Sequence, residues 1–223
     1  NSTILFTDFV EFTKHAKAMS PDDLIQELDR YFYQFDEIIS RNHLTKLKTI
    51  GDAYMCVGGI PEDNYTHAVD ACLAALEIKN LIKKTNEIRQ QLNLPYWNIR
   101  IGINTGEVVA GIIGKERFAY DIWGDAVNVA QRLESASLPY EINISRSTFD
   151  IVKYFFRCEY RGKHAIKNRG FVDMFFLKRI HPKLSADEEG YVPNERFFEL
   201  YNKLKNGAKF IYKHELNIKN TII

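Results

Sequence analysis

Two aspartates stand beside sharp turns. Asp8 follows Phe6-Thr7 at the end of the first strand-like run, and Asp52 sits in a tight Gly51-Asp52 turn. Carboxylates at neighbouring strand ends can converge on a hard divalent cation, which prefers oxygen ligands. A Gly-Asp pair also turns many hairpins that do no chemistry. Phe12 and Thr13 lie between the first strand and the first helix, where backbone amides can cradle phosphates. The chain has no GxxxxGK[ST] string, which excludes a P-loop enzyme. A third group runs from Asp121 to Arg132. Asp125 is placed to cap a helix that begins near Ala126, and Asn128 and Arg132, four apart, share one helical face. An amide beside a guanidinium at a helix start suits a ribose and a phosphate oxygen. The same spacing also makes an ordinary exposed polar stripe.

The elements that must position these residues are legible as periodicities. Thr3–Phe6 is a short β-branched and aromatic run that stops at Asp8. Ser20-Pro21-Asp22-Asp23 reads as a helix start, with serine as cap, proline first in the helix and acids at its positive end. Leu44–Ile50 and Ala53–Val57 read as a hairpin around Gly51-Asp52, and Tyr65 to about Leu92 as a long helix. Ile99–Ile103 alternates as a strand, Asn104-Thr105-Gly106 reads as a turn, and Val108–Ile113 and Phe118–Ile122 as a second hairpin. Ala126–Leu138 is a helix, Ile142–Ile144 a strand, Ser145–Val152 a short helix, and Phe155–Tyr160 and Phe171–Leu177 closing strands. The order βαββαβ, followed by further strands and helices, predicts an α+β, ferredoxin-like sandwich with helices on one face of a largely antiparallel sheet. Residues 181–223 read as an extension, with Phe197, Leu200, Tyr201 and Leu204 on one helical stripe closed by Asn206-Gly207.

Composition narrows the partners. The chain has 223 residues, 45% hydrophobic, with 15 Phe and 12 Tyr, enough apolar area for a core. Thirty basic and 29 acidic residues leave a net charge of +1, which argues against a nucleic-acid-coating protein. An anionic ligand must then be met by local charges or by a metal. Three cysteines without a CxxC pair suit a reducing, cytoplasmic setting, each as a small core hydrophobe. Apolar or glycine runs such as Val108–Gly114 are too short to span a bilayer, so this segment is expected to make no membrane contact.

Four strings carry a resemblance. Phe6-Thr7-Asp8-Phe9-Val10-Glu11-Phe12-Thr13 resembles the opening metal loop of class III nucleotidyl cyclases, and Leu47–Met55 their first hairpin. Arg100–Gly106 and Asp121–Arg132 are similar to their later core motifs, in the same order. The likeness covers residues 1–180, which it implies form the catalytic domain with the class III cyclase fold. It implies that Asp8, Asp52 and the backbone carbonyl of Phe9 hold two divalent cations, Mg2+ or Mn2+. Lys48 and Asp121 would read adenine, Phe12, Thr13 and Lys167 would hold phosphates, Asn128 would orient the ribose, and Arg132 would meet charge on the α-phosphate. Guanylyl cyclases carry Glu and Cys where Lys48 and Asp121 stand. Two departures are visible: Glu11 replaces a usual glycine, and Ile166-Lys167-Asn168-Arg169-Gly170 replaces a Lys-Gly-Lys-Gly form.

The expectation is an adenylate cyclase converting ATP to 3′,5′-cyclic AMP and pyrophosphate, with two sites shared across a homodimer. Sensor or membrane segments are expected upstream. The alternatives are a guanylate cyclase and a catalytically silent cyclase-like module that binds a nucleotide or partner.

Overall fold

The computed structural model describes residues 1–17, 19–115, 118–166 and 169–208. Strand β1 (Ser2–Phe9) sends its alternating side chains into two different cores. Leu5 and Phe9 join one hydrophobic cluster, and Ile4 and Phe6 the other. Around β1 the chain builds β2 (Thr45–Ile50), β3 (Ala53–Gly58) and β4 (Ile99–Gly106), then β7 (Ile142–Ser145), β8 (Phe156–Ile166) and β9 (Gly170–Ile180). These form one seven-stranded sheet in the order β2-β3-β1-β4-β7-β9-β8. Only β4 and β7 pair in parallel; the other named pairs are antiparallel. The first four strands give the predicted βαββαβ unit.

Helix α1 (Phe12–Ala16) follows β1, and α2 (Pro21–Arg41) and α3 (His67–Gln91) cover one face of the sheet. Ser20 caps α2 as expected, its hydroxyl accepting the Asp23 N–H at 3.1 Å. The expectation that all helices share one face fails. Helix α4 (Asp125–Ser135) lies on the opposite face, where Ala126 and Ala130 pack with Ile4, Phe6, Met55 and Val57. The separate hairpin β5 (Val109–Ile113) and β6 (Ala119–Trp123) reaches that cluster through Ile122. Two glycines let α4 settle on β4. A Cβ at Gly102 would stand 2.1 Å from the Glu134 amide nitrogen, and one at Gly106 2.9 Å from the Ala126 Cβ. Hence Asn104-Thr105-Gly106 is not a turn: β4 runs through it, pairing Gly106 with Ser2.

The short helix α5 (Arg146–Val152) is capped by Ser145. After β9, the described residues up to 208 pack on the larger core. A single 3-10 turn at Pro182–Leu184 leads to α6 (Glu195–Lys205), and Leu184, Phe197 and Leu200 are buried there. Phe197 meets Phe155 edge-on at 5.1 Å, and the Tyr201 hydroxyl donates to Asp70 at 2.7 Å. Cys56 and Cys72 are buried and Cys158 half-buried. Among the described residues no helix is long and apolar enough to cross a membrane.

Candidate active site

The two aspartates meet at one end of the central strands. Asp8 belongs to β1 rather than following it, opposite Arg100 on β4. Asp52 occupies the two-residue turn between β2 and β3, with Gly51 supplying the left-handed backbone at φ +62°. Burial and the charge of Asp8 push the Asp52 carboxyl up to about 6, against hydrogen bonds from its own amide and that of Phe9. Two carboxyls held this close repel once ionised, and a divalent cation would relieve that repulsion with the oxygen donors it prefers. The site therefore fits a hard cation. Among the described residues no cluster of three or more His, Cys, Asp or Glu forms, so further ligands must be backbone, solvent or substrate oxygens. Phe9 ends β1 opposite Ile99, with its ring 5.4 Å from that of Tyr31.

Two residues that sequence reasoning did not single out complete this cluster. Arg100 Nη2 lies 2.5 Å from Asp8 Oδ2, and its Nε lies 3.2 Å from Glu134 Oε1. Burial and the charge of Asp8 raise the Glu134 carboxyl to about 7, and Arg100 opposes the shift. Arg100 stood within a quoted motif. Glu134 carried no signal, because only the α4–β4 contact brings it to a residue 34 positions earlier.

A second group lies between the two hairpins. The register of β2 shifts between Lys46 and Lys48, so Leu47 is an extra residue that packs into the smaller core. Lys48 pairs with Asp121 on β6. Burial works against the Asp121 charge, but hydrogen bonds from Lys48 and the Ile122 amide hold its carboxyl below the usual range. Asn128 is exposed and Arg132 half-buried on α4, and among the described residues neither side chain has a polar partner. Asp125 does not cap α4. Gly124 holds that position at φ +145°, and Asp125 pairs with Arg169 instead.

The stretch at Phe12 is a short helix rather than a loop, and the Phe12 ring packs 5.6 Å from Trp97. Phe12 therefore offers backbone, not a side chain. The Thr13 side chain and Lys167 lie outside the described residues. Glu11 explains why its position favours glycine: it is left-handed at φ +56°, and its exposed carboxylate turns to Lys14 at 3.5 Å.

Residues 1–179 match the family model of the adenylate and guanylate cyclase catalytic domain. An adenylate cyclase of Mycobacterium bovis is 37% identical over 189 residues, covering 83% of this chain and 41% of that protein. The chain thus spans well under half the length of that relative. The guanylate cyclase domain of RhGC from Catenaria anguillulae, solved with GTP, superposes with a TM-score of 0.75 at 33% identity over 81% of this chain and 97% of that one. The adenylyl cyclase CyaB from P. aeruginosa superposes at 0.76, with 27% identity, 84% of this chain and 95% of that one. With this match across most of its length, the chain belongs to the class III nucleotidyl cyclases and carries their catalytic domain.

Proposed function

We propose that this domain, residues 1–180 with an extension over 181–223, is an adenylate cyclase that turns ATP into 3′,5′-cyclic AMP and pyrophosphate. The observation that carries this reading is the Lys48–Asp121 pair, a donor beside an acceptor on two facing hairpins. Adenine presents an acceptor at N1 and a donor at its exocyclic amine, which this pair complements. Guanine presents the reverse polarity and would leave both groups mispaired.

Asp8 and Asp52, with the Phe9 carbonyl, would hold two divalent ions, Mg2+ or Mn2+. When bound, such ions acidify the ribose 3′-hydroxyl and neutralise phosphate charge. Asn128 holds the ribose so that this hydroxyl faces the α-phosphate in line. Arg132 meets the charge that grows on the α-phosphate oxygens. The amides of Phe12 and Thr13, with Lys167, hold the outer phosphates. No side chain attacks, so no covalent enzyme intermediate forms.

The reading includes a homodimer. Asp8 contacts Asp52 and Arg100, whereas Lys48 and Asp121 contact each other. Asn128 is exposed on α4, and Val109 and Ile112 on β5, Phe118, and Phe171 on β9 are large apolar side chains left exposed. We read these exposed apolar side chains as part of an association face, and pairing two copies across it would bring the half-sites of different chains together.

The test is direct. The protein is incubated with ATP or GTP and Mn2+, and the cyclic products are separated. Cyclic AMP in large excess supports the reading. Cyclic GMP in excess makes it a guanylate cyclase, and no product from either nucleotide makes it a silent module.

A further inference from the structure

Arg100 stands between two acids, and its charge cannot be discharged by losing a proton. Its side chain is 27% exposed, that of Asp8 20% and that of Glu134 7%. The guanidinium faces them with different nitrogens: Nη2 donates a hydrogen bond to Asp8, and Nε lies at ion-pair distance from Glu134 without a hydrogen bond. Strand register brings Asp8 to it, and the bare Cα of Gly102 lets α4 bring Glu134. A second cation arriving at Asp8 must therefore compete with this guanidinium. Once displaced, the guanidinium still needs an anion, because an unpaired charge at this depth is costly. Glu134 is already in contact with it.

We infer that Arg100 is a resident stand-in for the divalent cation at Asp8, and that Glu134 is the positioning residue that retains the guanidinium when the ion displaces it. This rests on the reading of Asp8 and Asp52 as metal ligands. Metal binding is then an exchange. The ion takes Asp8, the guanidinium withdraws onto Glu134, and neither acid is left without a positive partner. Glu134 thereby sets metal affinity without touching the metal. It also sits two residues from Arg132 on α4, so one helix ties the metal cluster of one site to the residue proposed to meet the α-phosphate of the other.

The test uses Mn2+ alone, with no nucleotide, and reads free Mn2+ by its electron paramagnetic resonance signal. R100Q should bind Mn2+ about tenfold more tightly than the parent, because the competitor is gone, and E134Q about tenfold more weakly, because the displaced charge has no receiver. Removing Arg100 from E134Q should gain about a hundredfold, more than the same change gains in the parent. No gain on removing Arg100, or equal gains in both backgrounds, overturns the inference. R100Q leaves Glu134 buried and unpaired, which threatens folding. E134Q/R100Q replaces the ion pair by a neutral one, so if R100Q does not fold, its comparison with E134Q decides alone, and no gain there overturns the inference. Adding D8N to E134Q/R100Q separates the two readings. If Mn2+ then binds undiminished, Asp8 is not a ligand. If D8N abolishes binding and removal of Arg100 still gives no gain, only the stand-in role fails.

Discussion

Lys48 and Asp121 form one hydrogen-bonding unit although 73 positions separate them. Reversing both polarities with K48E and D121C should move preference from ATP towards GTP. Each mispaired buried group costs about 1–3 kcal/mol, so the ATP-to-GTP ratio of kcat/KM should fall by two orders of magnitude or more. An unchanged ratio would mean that the pair does not face the base. The acids at the other cluster predict a pH effect. Asp52 and Glu134 hold protons up to about 6 and 7 in the folded chain, whereas unfolded carboxyls release them near 4. Between about pH 4 and 7 the folded state binds more protons, so stability in chelator should fall as pH rises through that window. Mn2+, which takes the ionised carboxylates, should flatten the fall. Thermal unfolding from pH 5 to 8 with EDTA or Mn2+ checks this; a metal-free stability that rises with pH would contradict it. At this scale the meeting of Asp8 with Asp52 and of Lys48 with Asp121 could be anticipated, because each residue sits in a compact local string. The contact of Glu134 with Arg100 could not, since it arises only from tertiary packing, and Asp125 was misassigned because α4 starts at Asp125 itself, which leaves Gly124 at the cap position.

Helix α4 is positioned by an absence. With the Gly102 Cβ site 2.1 Å from the Glu134 nitrogen and 2.5 Å from the Ala130 oxygen, the obstacles are backbone and cannot rotate away. G102A should therefore lift α4 from β4. The overpacking should cost about 1–3 kcal/mol or more, which for a chain of this size lowers Tm by several degrees. Activity should fall further than stability, by about a hundredfold, because Asn128 and Arg132 move with the helix. A Tm and a kcat equal to the parent's would remove this account. Most elements were readable from period and punctuation, as in the Ser20-Pro21 start of α2 and the Asn206-Gly207 end of α6. Asn104-Thr105-Gly106 was misread because its turn-forming composition serves another purpose. The Asn104 side chain donates to the Ala126 carbonyl at 2.9 Å, and Gly106 makes room for Ala126 itself. The side of the sheet that α4 occupies was not legible, because both faces of β1 are apolar.

At the scale of the whole molecule, the homodimer reading makes Lys48 and Asp52 serve different sites although four positions separate them. D8A alone and R132A alone should each be nearly inactive. Mixed and allowed to exchange, they should form heterodimers in which one site carries both defects and the other neither. Random exchange makes half of the dimers mixed, each with one good site of two, so activity should recover to about a quarter of the parent level. Exchange demonstrated by mass spectrometry without recovery would mean that each chain builds its own site. The C-terminal segment bears on how the molecule can be handled. The family match stops at residue 179, yet Leu184, Phe197 and Leu200 are packed into the main core against Phe155 and Phe156. A gene trimmed at the family boundary would encode a protein with a greasy socket where Leu184, Phe197 and Leu200 had been. Such a fragment should clump on concentration, and its loss of cyclase output would be mistaken for a catalytic requirement of the missing tail.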